Sequence, residues 1–174
     1  NLTVKYNPDT DSNELINYPT LLDLASYTNN PADRGMDNYY PFLTDDEILA
    51  ANNAYNVYTN GGTMSEDMQA VLDSALNVVL PKGVESVKPG LFSGVDANGD
   101  STGTLTNNDI QTITMNGLAE VVPHMFEGCD SLIGAYIEGD AVKIGDYAFK
   151  DCENLVDVDV NPNLSESGQI PFIG

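Results

Sequence analysis

At 174 residues and 41% hydrophobic content, the chain has material for one modest core, either as a single domain or as a repeat array with a cap. Six Lys plus Arg against 27 Asp plus Glu leave a formal net charge of −21, a field that repels phosphate backbones and anionic lipids and so excludes nucleic acid as a natural partner. No apolar run reaches the roughly 18 residues that a membrane-crossing helix needs, so membrane insertion is not expected. Apart from the run Asp45-Asp46-Glu47 the acids are dispersed, which fits a solvated surface better than a cation-binding tail.

In chain order, Asn1 to Asn13 reads as an extended piece plus a loop. Because the sequence starts without Met, an upstream segment that could have held an export signal is expected to have been removed. The sequons Asn1-Leu2-Thr3 and Asn163-Leu164-Ser165 are short enough to arise by chance in a chain this rich in Asn, Ser and Thr. Pro19 suits the first turn of a helix through about Thr28, with Leu21, Leu22, Leu24 and Ala25 as its apolar contacts. Residues 29–43 are polar and turn-rich. Thr44 and Glu47 then have capping-box spacing, Ile48, Ala51, Tyr55 and Tyr58 follow on one helical face, and Gly61-Gly62 stops the run. A third helix is predicted from Thr63, with Glu66 completing its cap. Its face of Met64, Met68, Val71, Leu72 and Ala75 leads directly into the first strand of the C-terminal part. Residues 1–75 are therefore expected to form a mainly helical region that caps the N-terminal end of that part.

From residue 76 onward the chain repeats itself. Phe126, Phe149 and Phe172 recur every 23 residues, as do Cys129 and Cys152, and Leu132 and Leu155. The units run Leu118 to Asp140, Ala141 to Asn163, and an unfinished Leu164 to Gly174; the stretch opening at Val84 starts in the same way but carries a polar insertion near residues 95–107. Val87, Val121 and Ile144 each stand five residues before a Phe, and Ser167 takes that place in the last unit. Ile110, Ile113 and Met115 correspond to Leu132, Ala135 and Ile137 and to Leu155, Val158 and Val160. The last two of each trio alternate as one face of a strand requires. Ala75, Val78 and Leu80 fit the same frame. A unit this short cannot bury its own apolar side, so stacking on neighbours must make the core. Strands pair in parallel at about 4.8 Å on one face, and Phe-containing turns form the opposite wall.

The segment Ile144 to Val160, IGDYAFKDCENLVDVDV, with its weaker copy at Val121 to Cys129, resembles the BspA-like leucine-rich repeats of bacterial cell-surface proteins. The resemblance covers about residues 76–174. It implies an α+β repeat fold, a short right-handed leucine-rich-repeat solenoid with parallel strands that the N-terminal helices would cap. It further implies an extracellular or cell-surface location and a role in adhesion or in binding protein or glycan, and it makes the repeated cysteine a small buried residue.

Little in the sequence points to chemistry. Asp96, Asn98 and Asp100 place oxygens as at the start of a calcium loop, but Ser101 stands where a Gly is needed and Asn107 where a bidentate carboxylate is needed, so a plain polar insertion is favoured over a weak calcium site. Cys129 and Cys152 would lie on adjacent rungs with parallel Cβ vectors, which favours free buried thiols over a disulfide or a zinc site. His124, the sole histidine, reads as a surface or half-buried turn residue with no triad to join. The exposed strand face remains, with Thr112, Gly134 and Asp157 in one row and Thr114, Tyr136 and Asp159 in the next. Asp157 and Asp159 are read as solvated rather than as an acid–base pair, and Tyr136 among small polar and acidic neighbours as an anchor. Thr112, Thr114, Tyr136, Asp157 and Asp159 are thus the candidate binding residues, on a non-enzymatic module with no cofactor. A passive structural spacer is the alternative, and a domain of an extracellular hydrolase the least favoured. The last unit stops before its own long strand, so either further repeats follow in the natural chain or the exposed C-terminal edge drives self-association.

Overall fold

The computed structural model describes residues 3–18, 20–36, 38–138, 143–160 and 166–167, with 160, 166 and 167 described by backbone alone. It divides into two compact units: Asn1–Tyr18 together with Asn77–Gly174, and Pro19–Leu76. Residues 3–18 fall in the same compact unit as the repeats, whereas the sequence grouped residues 1–75 together.

In the repeat unit, strands β1 (Thr3–Asn7) and β2 (Ser12–Asn17) form an antiparallel hairpin. β3 (Asn77–Val79), β4 (Ser86–Val87), β5 (Thr112–Asn116), β6 (Glu120–Val121), β7 (Gly134–Glu138), β8 (Lys143–Ile144), β9 (Asp157–Val160) and β10 (Glu166–Ser167) come after it, long and short strands alternating. The long ones form a four-stranded sheet, β3-β5-β7-β9, parallel throughout. Its register is the one the matched positions of the units require: Ile113 stands opposite Ala135, and Ala135 opposite Val158. Ile113, Met115, Ala135 and Ile137 point into the core while Thr112, Thr114 and Tyr136 stay half-exposed, so the two faces alternate as expected of a half-buried sheet.

The short strands make a second parallel ladder, β6-β8-β10, in which Val121 pairs with Ile144 and Ile144 with Ser167. β4 joins the hairpin instead: Leu15 of β2 pairs with Val87 in parallel, and both side chains are buried. This is the difference that the sequence did not announce. The hairpin pairs with β4 over the first short strand, with the Glu85 N–H donating to the Asn13 carbonyl and the Lys88 N–H to that of Leu15, each at 2.8 Å.

Between the ladders runs a row of aromatic rings. Phe92, Phe126 and Phe149 are buried and stacked, with centroids 5.1 Å and 5.3 Å apart, as the repeat demanded; Phe172 lies outside the described residues. Tyr18 extends the row by one place, 4.9 Å from Phe92. Each Phe sits in a turn with a left-handed residue two positions before it and another two positions after. These are Gly90 and Gly94, then His124 and Gly128, then Tyr147 and Asp151, with φ between 59° and 77°. Glycine adopts that conformation without steric cost, and it fills three of the six places.

In the Pro19–Leu76 unit, α1 (Asp45–Asn60) starts at the expected cap: Thr44 Oγ1 accepts the Glu47 N–H at 3.2 Å, and Gly61 (φ 86°) ends the helix. α2 (Glu66–Leu76) starts later than predicted, because Ser65 rather than Thr63 accepts an amide, that of Met68 at 3.2 Å. Its Leu72 and Ala75 join Leu21, Leu24, Ala51, Ala54 and Leu76 in a separate small core. The helix expected from Pro19 to Thr28 is a single tight turn, Leu22–Ala25; Pro19 itself lies outside the described residues. Thr20 and Asp23 bond to each other's backbone amides, and Thr28 is drawn into a bridge with Tyr39, which stops the helix from continuing.

Candidate functional site

The outward face of the four-stranded sheet carries two registered rows of side chains. Asn77, Thr112, Gly134 and Asp157 form the first, and Val79, Thr114, Tyr136 and Asp159 the second. Thr112 and Thr114 are half-buried among their neighbours, while Asp157 and Asp159 stand in solvent. Thr112 Oγ1 donates to Asn77 Oδ1 at 2.8 Å, which ties the first two members of its row together. The five candidate residues therefore share one surface, and Asn77 and exposed Val79, which the sequence reading left off it, extend that surface toward β3.

Tyr136 does not stand up from this face. Its phenol end lies across Gly134: a β-carbon built on that glycine would come within 2.7 Å of the hydroxyl oxygen and 3.0 Å of Cζ. The hydroxyl donates to Asp157 Oδ2 at 3.1 Å. Gly134 thus makes room for the ring, and Asp157, on the next strand in register with it, holds the far end. The hydrogen bond to Asp157 and the charges of Asp157 and Asp159 raise the phenol's pKa above its ordinary value, so the ring remains neutral through the physiological range.

The cysteines are free and buried. Cys129 Sγ donates to the carbonyl of Phe92 at 3.7 Å and Cys152 Sγ to that of Phe126 at 3.0 Å, each bonding to the turn one rung earlier. Burial raises both pKa values, that of Cys152 to about 12. A protonated thiol is a poor nucleophile and a poor metal ligand, so these groups tie rungs together instead. Asn107 holds the corresponding place in the unit with the insertion, three residues before Ile110, and its amide donates to the hydroxyl of Tyr18.

The insertion closes on itself. Asp96 Oδ1 accepts the N–H groups of Asn98 and Asp100 at 2.9 Å and 3.0 Å, and Val95 bridges to Ser101. Among the described residues no three His, Cys, Asp or Glu side chains are grouped to hold a metal ion. His124 is half-buried in its turn, with Nδ1 2.6 Å from Glu127 Oε2 and its ring stacked on Tyr147 at 5.1 Å. Lys150 Nζ adds an ion pair to Glu127 Oε1 at 3.3 Å. This turn-wall cluster crosses two rungs and was not foreseen, because its members meet only once the repeats are stacked.

Comparison with known families matches residues 72–174, more than half of the chain, to the model described as BspA type Leucine rich repeat region (6 copies). The chain belongs to the BspA-type leucine-rich-repeat family. No curated protein and no solved structure matches it. The stacked strands and turns are what such a repeat solenoid is made of, and the match begins close to where β3 does. Proteins of this repeat type are generally interaction modules without enzymatic activity and are typically found on bacterial surfaces.

Proposed function

We propose that this BspA-type repeat chain is a non-enzymatic binding or adhesion module displayed outside the cell, with the outward face of the β3-β5-β7-β9 sheet as its contact surface. The observation that carries the reading is the registered pair of rows through Thr112, Thr114, Tyr136, Asp157 and Asp159, which sets an ordered ring among hydrogen-bonding groups. In the same reading the solenoid is right-handed, supported by the near-universal hand of parallel strand crossovers.

A screen of the whole chain against extracellular-matrix proteins and glycans tests the function. A ligand is expected whose binding falls when Thr114 is replaced by Arg, because a long cation then stands between Val79 and Tyr136. A ligand indifferent to every substitution in the two rows would place the contact elsewhere, and the absence of any ligand would favour a passive spacer.

A further inference from the structure

All six basic residues of the chain, Lys5, Arg34, Lys82, Lys88, Lys143 and Lys150, lie outside the four strands of the candidate face. The face itself presents Asp157, Asp159 and Glu138, all exposed. At its acidic end the Tyr136 ring is not a free rotor: Gly134 beneath it and Asp157 at its hydroxyl fix its place. Asp159 stands beside it in register. An ordered aromatic ring bordered by two carboxylates, within a molecule of net charge −21, complements one kind of side chain in particular. A planar cation can stack on the ring and direct its N–H groups at the acids at the ring's margin, and it loses little entropy because the ring is already held.

We propose that the Tyr136–Asp157–Asp159 corner of the sheet receives an arginine side chain from a basic segment of a partner protein. The proposal rests on the strand-face reading above and narrows it from protein or glycan to a cationic polypeptide. Arginine is preferred to lysine because a guanidinium can stack on the ring and bond to a carboxylate in a fork at the same time, whereas an ammonium offers a single strongly hydrated charge.

The test is fluorescence anisotropy of the whole 174-residue chain with a labelled hexa-arginine peptide, beside hexa-lysine and hexa-glutamate peptides and an array of neutral glycans. Hexa-arginine should bind more tightly than hexa-lysine, and hexa-glutamate should not bind. Tyr136→Ala should weaken hexa-arginine binding about fivefold, whereas Tyr136→Phe, which keeps the ring, should retain most of it. The double variant D157N/D159N should lose about tenfold, from two exposed ion pairs. The equal charge change in D46N/E153Q, at exposed positions outside the sheet, should leave affinity within about twofold if the effect is local rather than a general field. Unchanged thermal melting shows that each variant is folded.

Equal losses in the two double variants, or wild-type affinity in Tyr136→Ala, would overturn the proposal. Neutral-glycan binding that Tyr136→Ala abolishes, with no hexa-arginine binding, would overturn the basic partner and leave the strand face standing. Hexa-arginine binding untouched by every substitution in the two rows would overturn both.

Discussion

At single positions, the fold relies on small groups placed where a neighbouring rung comes close. Gly145, the glycine of the Ile-Gly-x-x-Ala-Phe run, has no room for a side chain: a β-carbon there would stand 2.5 Å from the Pro123 nitrogen. The left-handed residues around each Phe give a paired prediction of opposite signs. Gly94 (φ 76°) also faces the Thr104 carbonyl oxygen at 2.2 Å from a built β-carbon, so Gly94→Ala should cost about 2 kcal/mol or more. Asp151 (φ 59°) is exposed, so Asp151→Gly should raise stability by up to about 1 kcal/mol. Urea unfolding of the two variants checks both signs. The thiols make a pH prediction. An unfolded thiol has a value near 9.0 and folding lifts that of Cys152 to about 12, so the folded state favours the proton. That contribution is whole below pH 9.0 and is lost as pH rises toward about 12, with Cys129 shifted in the same direction. At pH 8 neither thiol should react with Ellman's reagent in native protein, and both should react after denaturation. A denatured, unreduced monomer with no titratable thiol would contradict the stacked arrangement. Cysteine suits this place for a physical reason: the side chain is small, apolar enough to bury, and able to donate to a carbonyl one rung away.

Among elements, what the sequence revealed and what it hid divide by the range of the interactions. The Phe, Cys and Leu repeats could be read because every rung has the same neighbours, so one local pattern encodes its own packing; the register Thr112, Gly134, Asp157 emerged from it directly. The hairpin Thr3–Asn17 could not, since Val4 and Tyr6 face solvent and its one fully buried apolar residue, Leu15, finds its partner at Val87, far along the chain. Tyr18 was equally silent, an isolated aromatic whose place in the row of rings depends on that hairpin and on Asn107. The candidate face was legible in its membership but not in its geometry: nothing local says that Tyr136 lies down over Gly134, because the holding group, Asp157, comes from the next strand. Two substitutions test these element contacts. Phe126→Ala, which removes a ring stacked on both sides, should cost about 3–5 kcal/mol. Leu15→Ala should cost about 2–5 kcal/mol if the hairpin is an integral rung, and almost nothing if it is an appendage. Chemical denaturation monitored by far-ultraviolet circular dichroism measures either loss.

Across the whole molecule, two opposing terms govern association, and salt separates them. Among the described residues nothing pairs with the outer edge of β9, and beside it Val156 is 86% and Val158 37% exposed, so the edge invites another strand. Against this stand Asp157 and Asp159 on the same strand and a net charge of −21, which makes two copies repel at close approach. The repulsion is screened over about 10 Å at 0.1 M salt and about 3 Å at 1 M, whereas apolar burial and backbone pairing are not weakened by screening. Self-association through the β9 edge is therefore expected to be suppressed at low ionic strength and to emerge as salt rises, the reverse of the salt dependence expected for an arginine-bearing partner at the Tyr136 corner. Sedimentation velocity at the two salt levels measures this, with Val158→Lys as the discriminating variant. A lysine at that inward-facing edge position should keep the chain monomeric in 1 M salt, because pairing would bury its charge. A wild-type chain with the same sedimentation coefficient at both salt levels and at high concentration would show that the edge does not drive association. Association that persists in Val158→Lys would place the contact on another surface.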